Sequence, residues 1–289
     1  MRLDGIHHVT CITGDAPANV DFYTGVMGLR LVKKSVNQDD PTVYHLFYAD
    51  EQGSAGSDIT FFEYPGAAPG RAGAGMVHTV VWRVGSTAAL DFWAERTGGE
   101  RDGDTVVFAD PDGLRHQLVV SSAPDEPLVA DHPEIPRELA LQGFEGVRAY
   151  GEEPTAFLEA LGFEDGLTRG ASRQGWIRYE PAPAERGVPG AGTVHHVAWA
   201  STLDEHEAWR QRVADAGARP TQVIDRFWFR SIYFREPSGV LFEIATLGPG
   251  FATDEDPEHL GEKLILPPDF EHLRATVEPL LTPLPSPRG

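Results

Sequence analysis

Two His-His-Val tripeptides lie far apart in the chain. One is in G-I-H-H-V-T (residues 5–10), the other in T-V-H-H-V-A-W (residues 193–199). A carboxylate, Glu243, stands inside the apolar run L-F-E-I-A that follows the turn E-P-S-G. Side chains alternate across a strand. Ile6, His8, Thr10 and Ile12 therefore share one face, and His7, Val9 and Cys11 the other. By the same parity Val194, His196 and Ala198 share a face, as do Leu241, Glu243 and Ala245. If these faces line one surface, His8, His196 and Glu243 converge. Two imidazoles and one carboxylate form a ligand face that leaves coordination positions open for substrate and O₂, the arrangement of non-haem Fe(II) oxygenases. Glu63, in T-F-F-E-Y-P, is a candidate fourth ligand that would close the site and suit Zn or Ni. It lies seven residues after Gly56, whereas Glu243 lies four after Gly239, so it is expected at a strand end.

The elements that must position these groups read as four copies of one strand-helix-strand-strand-strand unit. The copies open with apolar strands at 5–12, 76–84, 143–150 and 193–200, and helical spacing follows at 15–29, 86–99, 153–163 and 204–218. Each helix ends in glycine, the expected stop. The last hairpins of the second and fourth copies, 108–120 and 234–245, carry Asp-Pro-Asp-Gly and Glu-Pro-Ser-Gly, in which Pro presets φ and Gly supplies a positive φ. The expected fold class is α+β: four tandem βαβββ modules forming two cupped mixed sheets. The modules span 5–66 and 75–120 in an N-terminal half (1–122), and 140–181 and 193–247 in a C-terminal half (139–250). Residues 123–138 read as the linker, and 251–289 as a tail packed on the outside, with a short helix at 270–281. Thr79 and Gln117 stand in the second copy where His8 and Glu243 would recur. The third copy's F-E-G-V-R-A has no His, so copies two and three leave a cup without metal.

Composition narrows the class. The chain has 289 residues, 41% of them hydrophobic, with 31 Gly and 23 Pro, which suits a sheet-rich fold with many turns. A net charge of −20 argues against nucleic acid and anionic membrane surfaces as partners. Cys11 is the only cysteine, so no intramolecular disulfide forms, and no apolar run reaches the length of a membrane span. A cytoplasmic protein is expected. An unpaired cup edge would allow a homo-oligomer.

The repeat together with G-I-H-H-V-T resembles the vicinal oxygen chelate superfamily, which includes glyoxalase I, bleomycin and fosfomycin resistance proteins and extradiol dioxygenases. Site, repeat number and the tail L-G-E-K-L-I-L-P-P-D-F-E-H-L-R (260–274) resemble its four-repeat hydroquinone ring-cleaving dioxygenases. The resemblance implies Fe(II), or Mn(II), on His8, His196 and Glu243, with a small aromatic substrate and O₂. It also implies catalytic roles for His7, Thr10, Arg226 and Tyr233. Tyr233 or His7 would move protons, and Arg226 would stabilise oxyanion charge. His195 is expected to be a helix-facing partner, and Phe227, Trp228 and Phe229 an aromatic wall. The expected activity is that of an extradiol-type dioxygenase acting on a hydroquinone or catechol. The alternatives are a glyoxalase I-like isomerase or lyase holding Zn or Ni, and a metal-free resistance protein.

Overall fold

The computed structural model describes residues 1–285. The first module is β1 (Ile6–Thr13), α1 (Ala16–Val20), β2 (Arg30–Asn37), β3 (Asp40–Ala49) and β4 (Asp58–Glu63). Its helix widens into a π-turn over Asp21–Val26. The second is β5 (Met76–Val84), α2 (Thr87–Thr97), β6 (Glu100–Asp102), β7 (Thr105–Ala109) and β8 (Arg115–Val120). The third is β9 (Phe144–Tyr150), α3 (Thr155–Ala160), β10 (Leu167–Arg169) and β11 (Gln174–Glu180). The fourth is β12 (Val194–Ser201), α4 (His206–Asp215), β13 (Ile224–Asp225), β14 (Arg230–Arg235) and β15 (Leu241–Thr246). The helices are shorter than their sequence patterns because the ends of those patterns act as caps. Asp15 and Ser86 accept from Ala18 and Ala89 N–H, and Gly98 turns left-handed (φ +64) to stop α2. The third module has one strand fewer than expected.

Two sheets result, ordered β13-β14-β15-β12-β1-β4-β3-β2 and β10-β11-β9-β5-β8-β7-β6. The strand pairing does not follow the sequential halves 1–122 and 139–250. Module one joins module four through antiparallel β1–β12, and module two joins module three through antiparallel β5–β9. Within each module the last strand lies parallel to the first, so each first strand keeps one free edge for its counterpart. Once β5 takes β9 across the 123–138 connection, β1 and β12 are left to each other. Residues 123–138 are docked along the fold: Asp125 pairs with Arg83 at 2.6 Å, and Ile135 is buried.

Both hairpin motifs cap their own turns. Asp110 Oδ1 accepts from the N–H of Asp112 (3.0 Å) and Leu114 (2.8 Å). Glu236 accepts from those of Ser238 and Val240, each at 2.7 Å. Gly239, at φ +106, completes the turn that launches β15.

The tail packs on the outside, but its 270–281 helix is broken into 3₁₀ turns around α5 (Arg274–Val277), and its residues 286–289 lie outside the described residues. Leu264 bridges Lys34 on the free edge of β2, which blunts that edge. Upstream, the tail is held by Lys33, a fully buried lysine. Its ammonium donates to Phe251 O (3.1 Å), Asp254 (2.8 Å) and Glu255, and lies 5.1 Å from the centre of the Trp228 ring. Among the described residues no helix is long and apolar enough to cross a membrane.

Removing one partner of a buried ion cluster strands the others, at a cost of about 3–5 kcal/mol. Lys33→Met is therefore expected to lower the Tm by roughly 5–10 °C in scanning calorimetry. An unchanged Tm would mean that the strap contributes nothing to stability.

Candidate metal centre

Both histidine doublets sit on β-bulges. Along β1, Ile6 pairs with Trp199 and His8 with Ala198, so His7 is the extra residue. Along β12, Thr10 pairs with His196 and Cys11 with Val194, so His195 is the extra residue. A bulge re-aims its side chain, and each bulged imidazole turns onto its neighbour. His7 Nδ1 lies 2.9 Å from His8 Nδ1, and His195 Nδ1 lies 2.7 Å from His196 Nδ1. The far nitrogen of His7 lies 3.1 Å from the Thr246 carbonyl, which can only accept. His7 Nε2 therefore carries hydrogen, and in the neutral ring Nδ1 accepts from His8 Nδ1–H. His8 is left with its Nε2 lone pair facing the site. His7 lies behind His8, away from the cavity, so it orients a ligand and is not placed to move substrate protons. His195 is not turned to a helix either: it is exposed and meets Phe62 edge-on.

At the focus, His8 Nε2 and His196 Nε2 lie 3.1 and 2.8 Å from Glu243 Oε2, and 3.3 Å from each other. The three residues are 2%, 4% and 0% exposed. Neither Glu243 oxygen accepts a hydrogen bond of good geometry, so the buried carboxylate's partners are the two imidazoles that face it. Burial alone would raise its pKa, but the His8 and His196 imidazoles hold it well below the usual carboxylate range. Burial would likewise lower His8, yet the facing carboxylate outweighs it and raises its pKa; at His196 burial wins and the pKa falls. An orphan carboxylate with two imidazole lone pairs is a donor set that fits a divalent cation.

A pocket with ≈ 370 Å³ of empty space, part of it open to solvent, lies over this point. Thr10 lines it, accepting at 2.9 Å from Thr60. Tyr233 lines it from β14, opposite Glu243 in register. Arg226 is there too, but its guanidinium is already engaged: Nε donates to the Tyr233 hydroxyl (3.3 Å), and both terminal nitrogens reach Asp39 (3.2 and 2.9 Å). Its charge holds Tyr233 and bridges the β2–β3 hairpin across the mouth, and is not left free for an oxyanion. Of the aromatic wall, Trp228 and Phe229 line the cavity. Phe227 does not; it takes a left-handed φ of +74, a strained backbone geometry. Glu63 lies at the end of β4, accepting from Ala16 N–H (3.3 Å) and Thr282 (2.8 Å), outside the centre. His45, Asn37, Gln38 and Asp39 also stand in the cavity wall; of these only His45, inside the apolar run of β3, leaves a signal in the sequence.

The second cup repeats the scaffold without the site. His78 is bulged against Thr79, as His7 is against His8, with a side-chain contact of 2.9 Å. By register, Thr79 and Gly146 replace the two ligand histidines, and Gln117 replaces Glu243. The Trp176 ring fills the vacated space: a Cβ at Gly146 would lie 2.2 Å from it. Arg148 donates to Gln117 (2.8 Å) where a cation would otherwise be needed.

Such a duplicated cup with a two-histidine, one-carboxylate face defines a class, and the sequence agrees. The chain belongs to the glyoxalase/bleomycin resistance protein/dioxygenase superfamily, whose model matches residues 5–118 and 76–244. Its full-length relatives narrow the group. It is 41% identical over 301 residues, 96% of both chains, to MhqO of Bacillus subtilis, provisionally named a ring-cleaving dioxygenase. It is 32% identical over 307 residues, 94% of both chains, to the chlorohydroquinone/hydroquinone 1,2-dioxygenase of Sphingobium indicum. The crystal structure of a provisionally named dioxygenase from Bacillus subtilis matches with a TM-score of 0.87, at 38% identity and 98% coverage of both chains.

A cation must displace the proton that His8 retains above the ordinary imidazole pKa. Metal affinity is therefore expected to rise with pH through and above about 6.5, with proton release near neutrality. Calorimetry in buffers of different ionisation enthalpy measures this; no proton release would refute it. His7→Ala and His195→Ala are expected to weaken metal binding about 10–100-fold in chelator competition. His8→Ala, His196→Ala or Glu243→Ala should abolish it.

Proposed function

We propose that the chain is a ring-cleaving dioxygenase that carries Fe(II) on His8, His196 and Glu243 and acts on a hydroquinone-type aromatic. The observation that carries this reading is the residue at the position that mirrors Glu243. His8 pairs with Ala198 and Thr10 with His196, so the local two-fold exchanges Thr10 with Ala198. Ala198 pairs with Glu243, and Thr10 pairs with Thr60. A fourth carboxylate, needed for a closed isomerase-type site, would stand at 60, where this chain has a threonine. Three protein ligands leave room for substrate and O₂, which disfavours the glyoxalase I-like reading with Zn or Ni. A buried orphan carboxylate likewise disfavours a metal-free binding protein.

When bound, Fe(II) supplies open coordination positions for a phenol oxygen and O₂, and lowers the phenol pKa so that it binds as phenolate. Mn(II) would suit the same donors. The chain's own groups do the rest. Phe47, Phe62, Trp228 and Phe229 sandwich a flat ring and exclude water from the cavity. Tyr233 presents a hydroxyl held by Arg226, and Thr10 a hydroxyl beside both histidine strands. Burial, with Glu243 adding to it, raises the Tyr233 pKa, so the hydroxyl stays protonated and offers the substrate a hydrogen-bond donor, not a base. The bond expected to break joins the hydroxyl-bearing carbon to its neighbour. A catechol would chelate through two oxygens and a hydroquinone through one. The name of the Sphingobium relative favours the latter. The single, buried Cys11 suits a reducing cytoplasm.

The test is O₂ uptake by Fe(II)-loaded protein with hydroquinone, methylhydroquinone, chlorohydroquinone and catechol. One O₂ consumed per ring opened is expected with a hydroquinone, and none with Glu243→Ala. No uptake by protein holding one iron per chain would overturn the reading.

A further inference from the structure

The cavity has donors to spare and few acceptors. The Asp39 carboxylate is occupied by Arg226, and the Asn37 side-chain oxygen accepts from the Asp39 N–H at 2.9 Å. Tyr233 and Thr10 already accept from Arg226 and Thr60, which leaves each with a hydrogen to give. Gln38 sits on the hairpin tip, its amide nitrogen tied to Arg226 O at 2.9 Å. His45 differs. It rises from the middle of β3 into the cavity wall, with its ring against Phe47 (centroids 3.9 Å) and Phe62 (4.4 Å).

Its Nε2 lies 2.8 Å from Thr60 Oγ1, and Thr60 donates onward to Thr10. The hydroxyl hydrogen of Thr60 is thereby used, so Nε2 is the donor in this contact. Nδ1 is then a lone pair with no protein partner among the described residues. Burial keeps the ring neutral by holding its pKa well below the usual imidazole value. A neutral, oriented acceptor in an aromatic wall recognises a hydroxyl that must donate.

We propose that His45 Nδ1 accepts the hydrogen bond of the substrate hydroxyl that is not on the metal, which makes His45 the residue that selects a second, distal hydroxyl. This rests on the ring-cleaving reading above and names its specificity determinant. A ring with one hydroxyl would fill the cavity and reach the metal, yet leave Nδ1 unpaired. A ring with a second hydroxyl facing His45 would satisfy both ends.

The experiment measures anaerobic binding of hydroquinone and of phenol to the Fe(II)-loaded protein, as wild type, His45→Phe and His45→Asn. The wild type is expected to prefer hydroquinone. His45→Phe, which keeps the ring packing, should reduce that preference by about 2–12-fold, the range one neutral hydrogen bond carries. It should leave iron content unchanged and cost phenol less affinity than hydroquinone. His45→Asn, whose Oδ1 can take the place of Nδ1, should restore the preference. An unchanged preference in His45→Phe, or an equal loss of both ligands, would overturn the proposal. Binding of neither ligand by iron-loaded wild type would instead overturn the ring-cleaving reading, and this one with it.

Discussion

The structure turns on one electrostatic constraint: the Glu243 carboxylate is fully buried between two buried imidazoles, with no hydrogen-bond donor of good geometry. A carboxylate taken out of water without compensation is among the most expensive groups to bury. The fold meets that cost by aiming two ligand histidines at the same point from different strands. It then fixes their tautomers with a second pair of histidines and the Thr246 carbonyl. Thr246 lies three residues beyond Glu243 on the same strand, so β15 supplies a ligand and also the group that orients another. A divalent cation would complete this set; without one, the carboxylate and the His8 imidazole, whose pKa it raises, face each other directly.

The second cup shows how little the scaffold alone requires. It keeps the parallel and antiparallel pairings and the histidine bulge, yet contains no comparable charge problem. Gly146 and Thr79 remove the imidazoles, Trp176 fills the space they would take, and Gln117 is neutral. Arg148 satisfies that amide and continues to Glu180, which converts a ligand face into an ordinary polar network. The candidate metal site is therefore a local feature of six or so side chains on a duplicated frame, and not a property of the frame.

Closure of the cavity depends on segments far from the ligands. Arg226 links Tyr233 to Asp39 and so ties the fourth module to the first module's hairpin. Lys33 anchors the tail through Asp254, which in turn accepts from the Trp228 indole (3.1 Å). Tyr233 is thus held by an ion pair in the cavity wall, and Trp228 by the Asp254 carboxylate outside it. The charges are matched locally in a chain whose overall balance is strongly negative.

The convergence of His8, His196 and Glu243 and the βαβ repeats were legible in the sequence because both rest on local rules. Strand parity places His8, His196 and Glu243 on matching faces, and the acid-Pro-x-Gly turns announce the final hairpins. Thr60 and Trp176 were not legible, and His45 showed only as a polar residue in an apolar run, because their meaning comes from register between strands that are distant in sequence. The bulges were equally hidden: strict alternation turns His7 away from His8, and an extra residue against β12 is what brings them together. Which modules share a sheet was also decided in three dimensions, since each first strand offers the same kind of free edge and only the assembled chain selects its partner. Sequence thus determined which atoms are available to bind a metal and an aromatic ring. Tertiary pairing determined which of them meet, because periodicity fixes the face of a strand but not its neighbour.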